Sequence, residues 1–204
     1  EYVHWLSAAA LAGATVVGIN PTRRGAELAR DITHTDCQVL IVDPSYADLL
    51  EGLDLGEALG PDRIWGLDDA AYHERLADHA GTDFATVDAA LDAEGRTVGS
   101  NDLYLLLFTS GTSGAPKAVK CSQGRLARIA GIVAMGFGLD AESACYLSMP
   151  LFHSNALMAG GGPAVAGGAP SGGPPPPSLS AFPPAPAVAA RGAPPPGASR
   201  YRPR

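Results

Sequence analysis

The feature that most constrains the fold is a run of six apolar residues, 103–108 (LYLLLF), which leads directly into a loop of small polar residues. The run is short for a helix, and turn-forming residues stand on both sides of it. Such a run predicts a strand that is covered on both faces, as in a parallel sheet flanked by helices. Because parallel-sheet proteins bind ligands at the carboxyl ends of their strands, the same run indicates where the functional site lies.

Helix and strand patterns alternate along the first 150 residues. We predict helices near 3–12, 22–34, 45–51, 69–79, 83–94 and 122–137, and strands near 14–19, 38–43, 63–67, 103–108 and 144–149. Gly13 is the predicted stop of the first helix, and Thr22 and Ser122 are predicted helix caps. This alternation predicts an α/β domain with a mostly parallel sheet.

The last 45 residues, 160–204, have a different composition. They contain 13 of the 18 prolines and nine of the 25 glycines, with few large apolar side chains. Such a segment cannot bury enough apolar surface to offset the entropy of ordering it. We therefore predict a folded domain over residues 1–160 and a disordered Pro/Gly/Ala/Arg-rich tail over 161–204. Two origins remain open for the tail, a frameshift in a GC-rich gene and a natural Pro-rich linker.

Charge, hydropathy and cysteine content exclude several classes of protein. The formal net charge of −7 argues against binding to nucleic acid, which requires a clustered basic face. Residues 5–22 carry no charge, but polar residues, Gly and Pro interrupt them, so we predict no transmembrane segment. Cys37, Cys121 and Cys145 are odd in number and widely spaced, which fits a reducing cytosol better than a disulfide framework or a zinc site.

The loop after the apolar strand combines three kinds of group that suit phosphate oxygens. Glycines let backbone N–H groups approach, hydroxyls add further donors, and a lysine supplies a positive charge. These groups are Thr109, Ser110, Gly111, Thr112, Ser113, Gly114 and Lys117. The loop is not a Walker A loop, because only two residues separate its glycines and Ala-Pro precedes the lysine.

The nine residues 109–117 (TSGTSGAPK) resemble the phosphate-loop signature of the adenylate-forming superfamily, which includes acyl-CoA synthetases, luciferases and peptide-synthetase adenylation domains. The usual form is Thr-Ser-Gly-Thr-Thr-Gly-x-Pro-Lys-Gly. Here Ser113 replaces a threonine, and Ala118 replaces the last glycine, as in relatives of the fatty acid transport proteins and very-long-chain acyl-CoA synthetases. Residues 149–160 (MPLFHSNALMAG) resemble the family's second motif, and residues 13–28 resemble the segment upstream of the loop.

The resemblance implies a function as a fatty acid–CoA ligase. Its substrates would be a fatty acid, ATP with Mg²⁺, and coenzyme A, and the acid would pass through an acyl-adenylate. Thr109, Ser110, Gly111, Thr112, Ser113 and Gly114 would hold the β- and γ-phosphates of ATP, with Lys117 closing the loop. His153 would lie beside the reacting carboxylate and the α-phosphate as the catalytic residue, and Phe152 would line the pocket or pack beside it.

Other segments of such an enzyme have no match in these residues. We find no aromatic-Gly-x-Thr-Glu segment for adenine and magnesium, no Thr-Gly-Asp segment for ribose, and no C-terminal domain with a catalytic lysine. The sequence therefore reads as part of the N-terminal domain of an AMP-binding enzyme and is expected to be inactive alone. Alternatives are an aryl-CoA ligase, a peptide-synthetase adenylation domain and a truncated non-catalytic product. We expect a cytoplasmic location, with peripheral membrane association left open.

Overall fold

The computed structural model describes residues 1–109 and 117–172, which belong to two compact units. The first unit contains residues 1–99 and 103–120, and the second contains residues 100–102 and the described residues from 121 onward. The helices are α1 (Tyr2–Ala12), α2 (Gly25–His34), α3 (Ala70–Asp78), α4 (Phe84–Ala93), α5 (Gln123–Phe137), α6 (Ser154–Ala156) and α7 (Gly162–Gly167). The strands are β1 (Val16–Gly18), β2 (Leu40–Val42), β3 (Ile64–Gly66), β4 (Leu103–Thr109), β5 (Lys117–Ser122), β6 (Cys145–Tyr146) and β7 (Ser171–Gly172).

The apolar run forms β4, the middle strand of a three-stranded sheet ordered β1-β4-β5. β1 lies parallel to β4, with Val16 opposite Leu105 and Gly18 opposite Leu107. Leu105 and Leu107 on one face are 1% and 2% exposed and Tyr104 on the other face is 7% exposed, as expected for a strand covered on both faces. β2 with β3 and β6 with β7 form two further parallel pairs, so the predicted α/β class with mostly parallel pairing is confirmed.

Side-chain hydrogen bonds join helix α1 and the segment after it to the central strand. The Tyr104 hydroxyl donates to the Leu6 carbonyl oxygen of α1 at 2.9 Å, and the hydroxyl of Thr15, between α1 and β1, donates to the Leu103 carbonyl oxygen at 3.0 Å. The helix ends at Gly13, whose φ of 63° lies in the left-handed region that favours glycine. The predicted stop at Gly13 is therefore confirmed.

Helix α2 contributes one face to the apolar core of the first unit. Leu28 and Ile32, one turn apart on this face, are 3% and 1% exposed. They pack with Leu55 and Leu59 from the segment between β2 and β3. That segment contains 3-10 turns at Pro44–Leu50, Glu57–Leu59 and Pro61–Arg63. The first of them stands where the sequence predicts a short helix near 45–51.

The predicted cap of α2 at Thr22 is wrong by two residues. The helix begins at Gly25, and Arg24 occupies the N-cap position without a side-chain cap bond. The carboxamide oxygen of Asn20 instead accepts from the Thr22 backbone N–H at 3.0 Å and from the Thr22 hydroxyl at 2.9 Å. Thr22 is thus held in an Asx turn, and its hydroxyl does not cap the helix.

Helix α5 organises the second unit. Ser122 caps it by accepting from the Arg125 backbone N–H at 3.3 Å, and the helix ends before Gly138, as predicted. α7 packs against α5 and against the π-helical turn Leu157–Gly161 that precedes it. Ala164 of α7 has no exposed surface and joins a small apolar cluster around Cys145.

Three features differ from the sequence predictions. β5 was not predicted, and of the strand expected over 144–149 only Cys145–Tyr146 is formed. Beyond β6 the chain turns after Pro150, whose carbonyl oxygen accepts from the His153 N–H at 3.0 Å. The first twelve residues of the predicted tail, 161–172, form α7 and β7 because α5 provides them with an apolar surface; residues 173–204 lie outside the described part of the chain.

Candidate active site

The candidate phosphate loop begins where β4 ends. Thr109 is the last residue of this strand, and Lys117 is the exposed first residue of β5. Ser110, Gly111, Thr112, Ser113 and Gly114 lie outside the described residues, so their assignment to phosphate remains a prediction. The structure places Thr109 and Lys117 on neighbouring strands of one sheet, at the two ends of the loop.

The β1–β4 pairing brings a second loop to the same edge of the sheet. Gly18 lies opposite Leu107 in a parallel pair, so both strands end at this edge. Two residues further along, the chain reaches Asn20 beyond the end of β1 and Thr109 at the end of β4. The turn at Asn20 therefore neighbours the start of the candidate loop, a relation that follows from register and is not visible in the sequence.

Ion pairs hold this turn against α2. Nη1 of Arg23 lies 2.8 Å from Oε2 of Glu27, and Nε of Arg23 lies 3.3 Å from Oδ2 of Asp31. The Asp31 side chain is 3% exposed, whereas that of Glu27 is 61% exposed. Arg24 donates to the carbonyl oxygens of Pro21 and Arg23. The buried carboxylate of Asp31 thus helps to fix the segment after β1.

His153 lies in the second unit, at the N-cap of α6. Its ring stacks on Phe152 with centroids 4.6 Å apart, and its side chain is exposed. His4, His34, His73 and His79, which we predict to be surface or structural residues, are exposed as well. Exposure therefore does not distinguish His153 from the others, and its catalytic role remains a prediction that depends on its sequence context.

A small recess lies within the second unit. It has about 10 Å³ of space for a water-sized group, and it is lined by Leu147, Ser148, Met149, Asn155, Ala156 and Gly160. Apart from Ser148 and Asn155, the lining side chains are apolar or absent. Sequence analysis did not single out Asn155 or Gly160, although both lie inside the motif over 149–160.

None of the three cysteines is activated as a nucleophile. Cys121 and Cys145 are 0% and 3% exposed, and burial raises the pKa of both thiols. Burial also raises the pKa of Cys37, although its contact with the Thr35 hydroxyl at 3.1 Å acts in the opposite direction. A raised pKa lowers the thiolate fraction at neutral pH, and the thiolate is the reactive form.

Among the described residues, no cluster of side chains forms a magnesium site by itself. Mg²⁺ is bound through carboxylate and other oxygen ligands. Within residues 1–109 and 117–172, no group of three His, Cys, Asp or Glu side chains could hold a metal ion. The sequence contains no acidic residue after Glu142. No step of the chemistry is therefore assigned to magnesium here. Among the described helices, none has the length and apolar character needed to cross a membrane.

Parallel strand pairs, a buried central strand and a Thr/Ser/Gly-rich segment at its carboxyl end define an α/β protein of the nucleotide-binding kind. The chain belongs to the AMP-binding enzyme family, whose model matches residues 1–186.

Two relatives illustrate the position of the chain within this family. It is 50% identical over 159 residues to the steroid-22-oyl-CoA synthetase of Rhodococcus jostii, covering 78% of this chain and 27% of the relative. It is 43% identical over 156 residues to the medium/long-chain-fatty-acid–CoA ligase FadD17 of Mycobacterium marinum, covering 76% of this chain and 27% of the relative. The chain thus spans about a quarter of the length of these relatives.

Solved structures support the same fold. The inhibitor-bound N-terminal domain of FACL13 from Mycobacterium tuberculosis matches with a TM-score of 0.67 at 21% identity, over 86% of this chain and 41% of that one. MbtA from Mycobacterium smegmatis matches with a TM-score of 0.60 at 25% identity, over 83% of this chain and 31% of that one. The likeness to the FACL13 domain shows the fold alone.

Proposed function

We propose that this chain supplies the phosphate-binding part of an ATP-dependent acid–CoA ligase. The observation that carries the proposal is the passage from buried β4 into TSGTSGAPK, with Lys117 opening the next strand. Family membership and the names of the two ligase relatives support it. In the proposed reaction a carboxylate oxygen of the substrate bonds to the α-phosphorus of ATP and pyrophosphate leaves. The sulfur of coenzyme A then bonds to the acyl carbon and AMP leaves.

The candidate residues divide into three groups by their proposed role. Thr109, Ser110, Gly111, Thr112, Ser113 and Gly114 hold the β- and γ-phosphates through N–H and hydroxyl donors, and Lys117 offsets their negative charge. These groups contribute positioning and charge stabilisation and form no covalent bond. His153 acts beside the carboxylate and the α-phosphate, where its ring nitrogens can exchange hydrogen bonds with the reacting oxygens.

The proposed acid substrate is apolar. The relatives are named for a steroid acid and for medium- and long-chain fatty acids, which share a carboxylate on a large apolar body. ATP and coenzyme A are cytosolic, whereas such acids partition into membranes. We therefore place the reaction in the cytoplasm with peripheral contact to a membrane surface; co-sedimentation of the chain with lipid vesicles tests that contact.

The phosphate role is tested by replacing the two lysines of the sequence one at a time. Lys117 and Lys120 are both exposed residues of β5, so they form a matched pair. A hydrogen bond to a charged group contributes about 1.5–3 kcal/mol, so Lys117→Ala should weaken ATP and pyrophosphate binding about 10- to 100-fold. Lys120→Ala should leave the affinity unchanged. Both are surface substitutions and should change stability by no more than about 0.5 kcal/mol.

Isothermal titration calorimetry of the 204-residue chain with ATP and with pyrophosphate measures both affinities. Equal effects of the two substitutions would show that β5 contributes only general positive charge. Equal affinities of wild type and Lys117→Ala would remove the loop from the proposed function.

A further inference from the structure

Turns of the same construction follow β1 and β2. The sequence NPT comes after β1, and the sequence DPS comes after β2. In the first turn, Oδ1 of Asn20 accepts from the Thr22 backbone N–H at 3.0 Å and from the Thr22 hydroxyl at 2.9 Å. In the second turn, Oδ1 of Asp43 accepts from the Ser45 backbone N–H at 3.0 Å and from the Ser45 hydroxyl. Both are Asx turns, in which a side-chain oxygen bonds to the backbone two residues further on.

The two turns differ in what lies beside them. β1 is the neighbour of β4, with Gly18 opposite Leu107. Because paired parallel strands advance together, Asn20 comes level with Thr109, where β4 ends and the candidate loop begins. β2 instead pairs with β3 in a separate two-stranded sheet. The turn after β2 therefore has the end of β3 as its strand neighbour, and the turn after β1 has the start of the candidate loop.

The turn after β1 is held by further bonds from the backbone and from α2. The Arg23 backbone N–H donates to the Asn20 carbonyl oxygen at 3.1 Å, and Arg24 donates to the Pro21 carbonyl oxygen. The Arg23 side chain pairs with Asp31, which is 3% exposed. Since a buried ion pair often adds less stability than apolar residues of the same volume, we attribute this pair to fixing one conformation of the turn.

We propose that Asn20 is a positioning residue for the candidate loop. Its two bonds to Thr22 keep the chain after β1 in the conformation that lies beside Thr109, and this fixes the point from which the loop starts. A site whose competent conformation is only partly populated binds its ligand more weakly in proportion. The inference rests on the proposed function for the identity of the ligand. It goes beyond that function by giving a role to a residue outside the loop, which acts on the loop and not on the phosphates.

The test measures pyrophosphate affinity of the 204-residue chain by isothermal titration calorimetry. Asn20→Ala removes the acceptor of both bonds. A neutral hydrogen bond contributes a factor of about 2 to 12 to an equilibrium constant, so the loss of two should weaken binding about 5- to 50-fold. Asn20→Ser offers a hydroxyl oxygen that can form the same kind of turn more weakly. Its affinity should therefore lie between those of wild type and Asn20→Ala.

The turn after β2 provides the matched control. Asp43→Ala breaks a turn of the same construction, and the charge that it removes is exposed and screened by salt. It should leave the pyrophosphate affinity within about twofold of wild type, whereas urea unfolding should show similar losses of stability for Asp43→Ala and Asn20→Ala. A purely structural role of Asn20 would give equal effects on affinity as well. Should Asn20→Ala fail to fold, Asn20→Ser and Thr22→Val, which removes only the hydroxyl bond, still decide the question.

A second readout needs no ligand. In heteronuclear NMR of the free protein, Asn20→Ala should move the amide resonance of Thr109, and Asp43→Ala should not. The inference is overturned if the Thr109 amide does not move, or if Asn20→Ala binds pyrophosphate as wild type does. If Lys117→Ala weakens binding and Asn20→Ala does not, the proposed function stands and this inference fails. If wild type binds no pyrophosphate, the proposed phosphate role fails, and the Thr109 resonance alone decides whether the turn positions the end of β4.

Discussion

Replacing Asp31 by Asn tests whether a buried ion pair holds the turn that neighbours the candidate loop. Arg23 lies between two carboxylates of α2, one buried at 3.3 Å and one exposed at 2.8 Å. If the interatomic distance alone determined how much each ion pair adds to the free energy of unfolding, the pair with the exposed Glu27 would add more. We expect the reverse, because water and salt screen the exposed pair.

The expected magnitudes follow from burial. Two unit charges 3.3 Å apart attract by about 5 kcal/mol at an effective dielectric constant of 20, and desolvation cancels much of this. Asp31→Asn keeps the shape of the side chain and leaves Arg23 paired with Glu27, so we expect a loss of about 1–3 kcal/mol in the free energy of unfolding. Glu27→Gln should cost no more than about 0.5 kcal/mol, as for other exposed i,i+4 pairs.

Urea unfolding at pH 7 provides the assay. Trp5 and Trp65 both lie in the first unit, with ring centroids 6.1 Å apart, so their fluorescence reports on the unit that contains α2. In a protein that carries Arg23→Gln, replacing Asp31 by Asn should lower the free energy of unfolding by less, because the partner charge is absent. The reasoning is refuted if Glu27→Gln costs as much as Asp31→Asn, or if the cost of Asp31→Asn is the same with and without Arg23.

Two further predictions concern ionisable side chains. Cys37 is partly exposed, whereas Cys121 and Cys145 are buried. Iodoacetamide at pH 7 should therefore alkylate Cys37 first, and mass spectrometry showing equal rates at all three positions would contradict the packing of both units. Asp83 accepts from the Thr86 N–H at 2.8 Å and from its hydroxyl, which hold the Asp83 pKa below its ordinary value of 3.8. The stabilisation by this cap is present at neutral pH and is lost as the pH falls through the lowered pKa, so Asp83→Asn should reduce the loss of melting temperature between pH 5 and pH 2.5.

Local signals in the sequence predicted those elements whose ends are set by their own residues. α5 begins after the Ser122 cap and ends at Phe137, because the cap and the following Gly138 act within one turn of the helix. β4 was recognised for a similar reason, since six consecutive apolar residues are stable only where both faces are covered. Gly13 likewise marks the end of α1 without help from distant contacts.

Elements that depend on distant contacts were not predicted. β5 has a weak pattern, because five of its six residues are at least partly exposed, and it forms a strand through its place beside β4. α7 was assigned to the tail because its Gly/Pro-rich sequence has low helix propensity. Its burial against α5 reverses that expectation, since Pro163 and Ala164 lie in the interior.

In the candidate site, too, some residues could be predicted from local sequence motifs, whereas other relations depend on contacts between distant parts of the chain. Thr109, Lys117 and His153 were proposed from the sequence because their residue types and order form motifs that do not depend on three-dimensional packing. The proximity of Asn20 to the end of β4 could be inferred only from the strand register. Space left for a ligand is set by residues that are far apart in the sequence, so it cannot be derived from a motif.

The last prediction is that these 204 residues alone do not form acyl-CoA. In the proposed function residues 109–117 bind two phosphates of ATP, but adenylation also requires groups that hold magnesium, orient ribose and position the carboxylate. No segment of the sequence matches those groups. Loss of one positioned donor lowers the rate by about 10²–10³, so the loss of several leaves no measurable turnover. A pyrophosphate-release assay with fatty acids, ATP, magnesium and coenzyme A should match the rate without protein. Turnover above that rate, retained in wild type and abolished in Lys117→Ala, would show that the missing groups lie within this sequence.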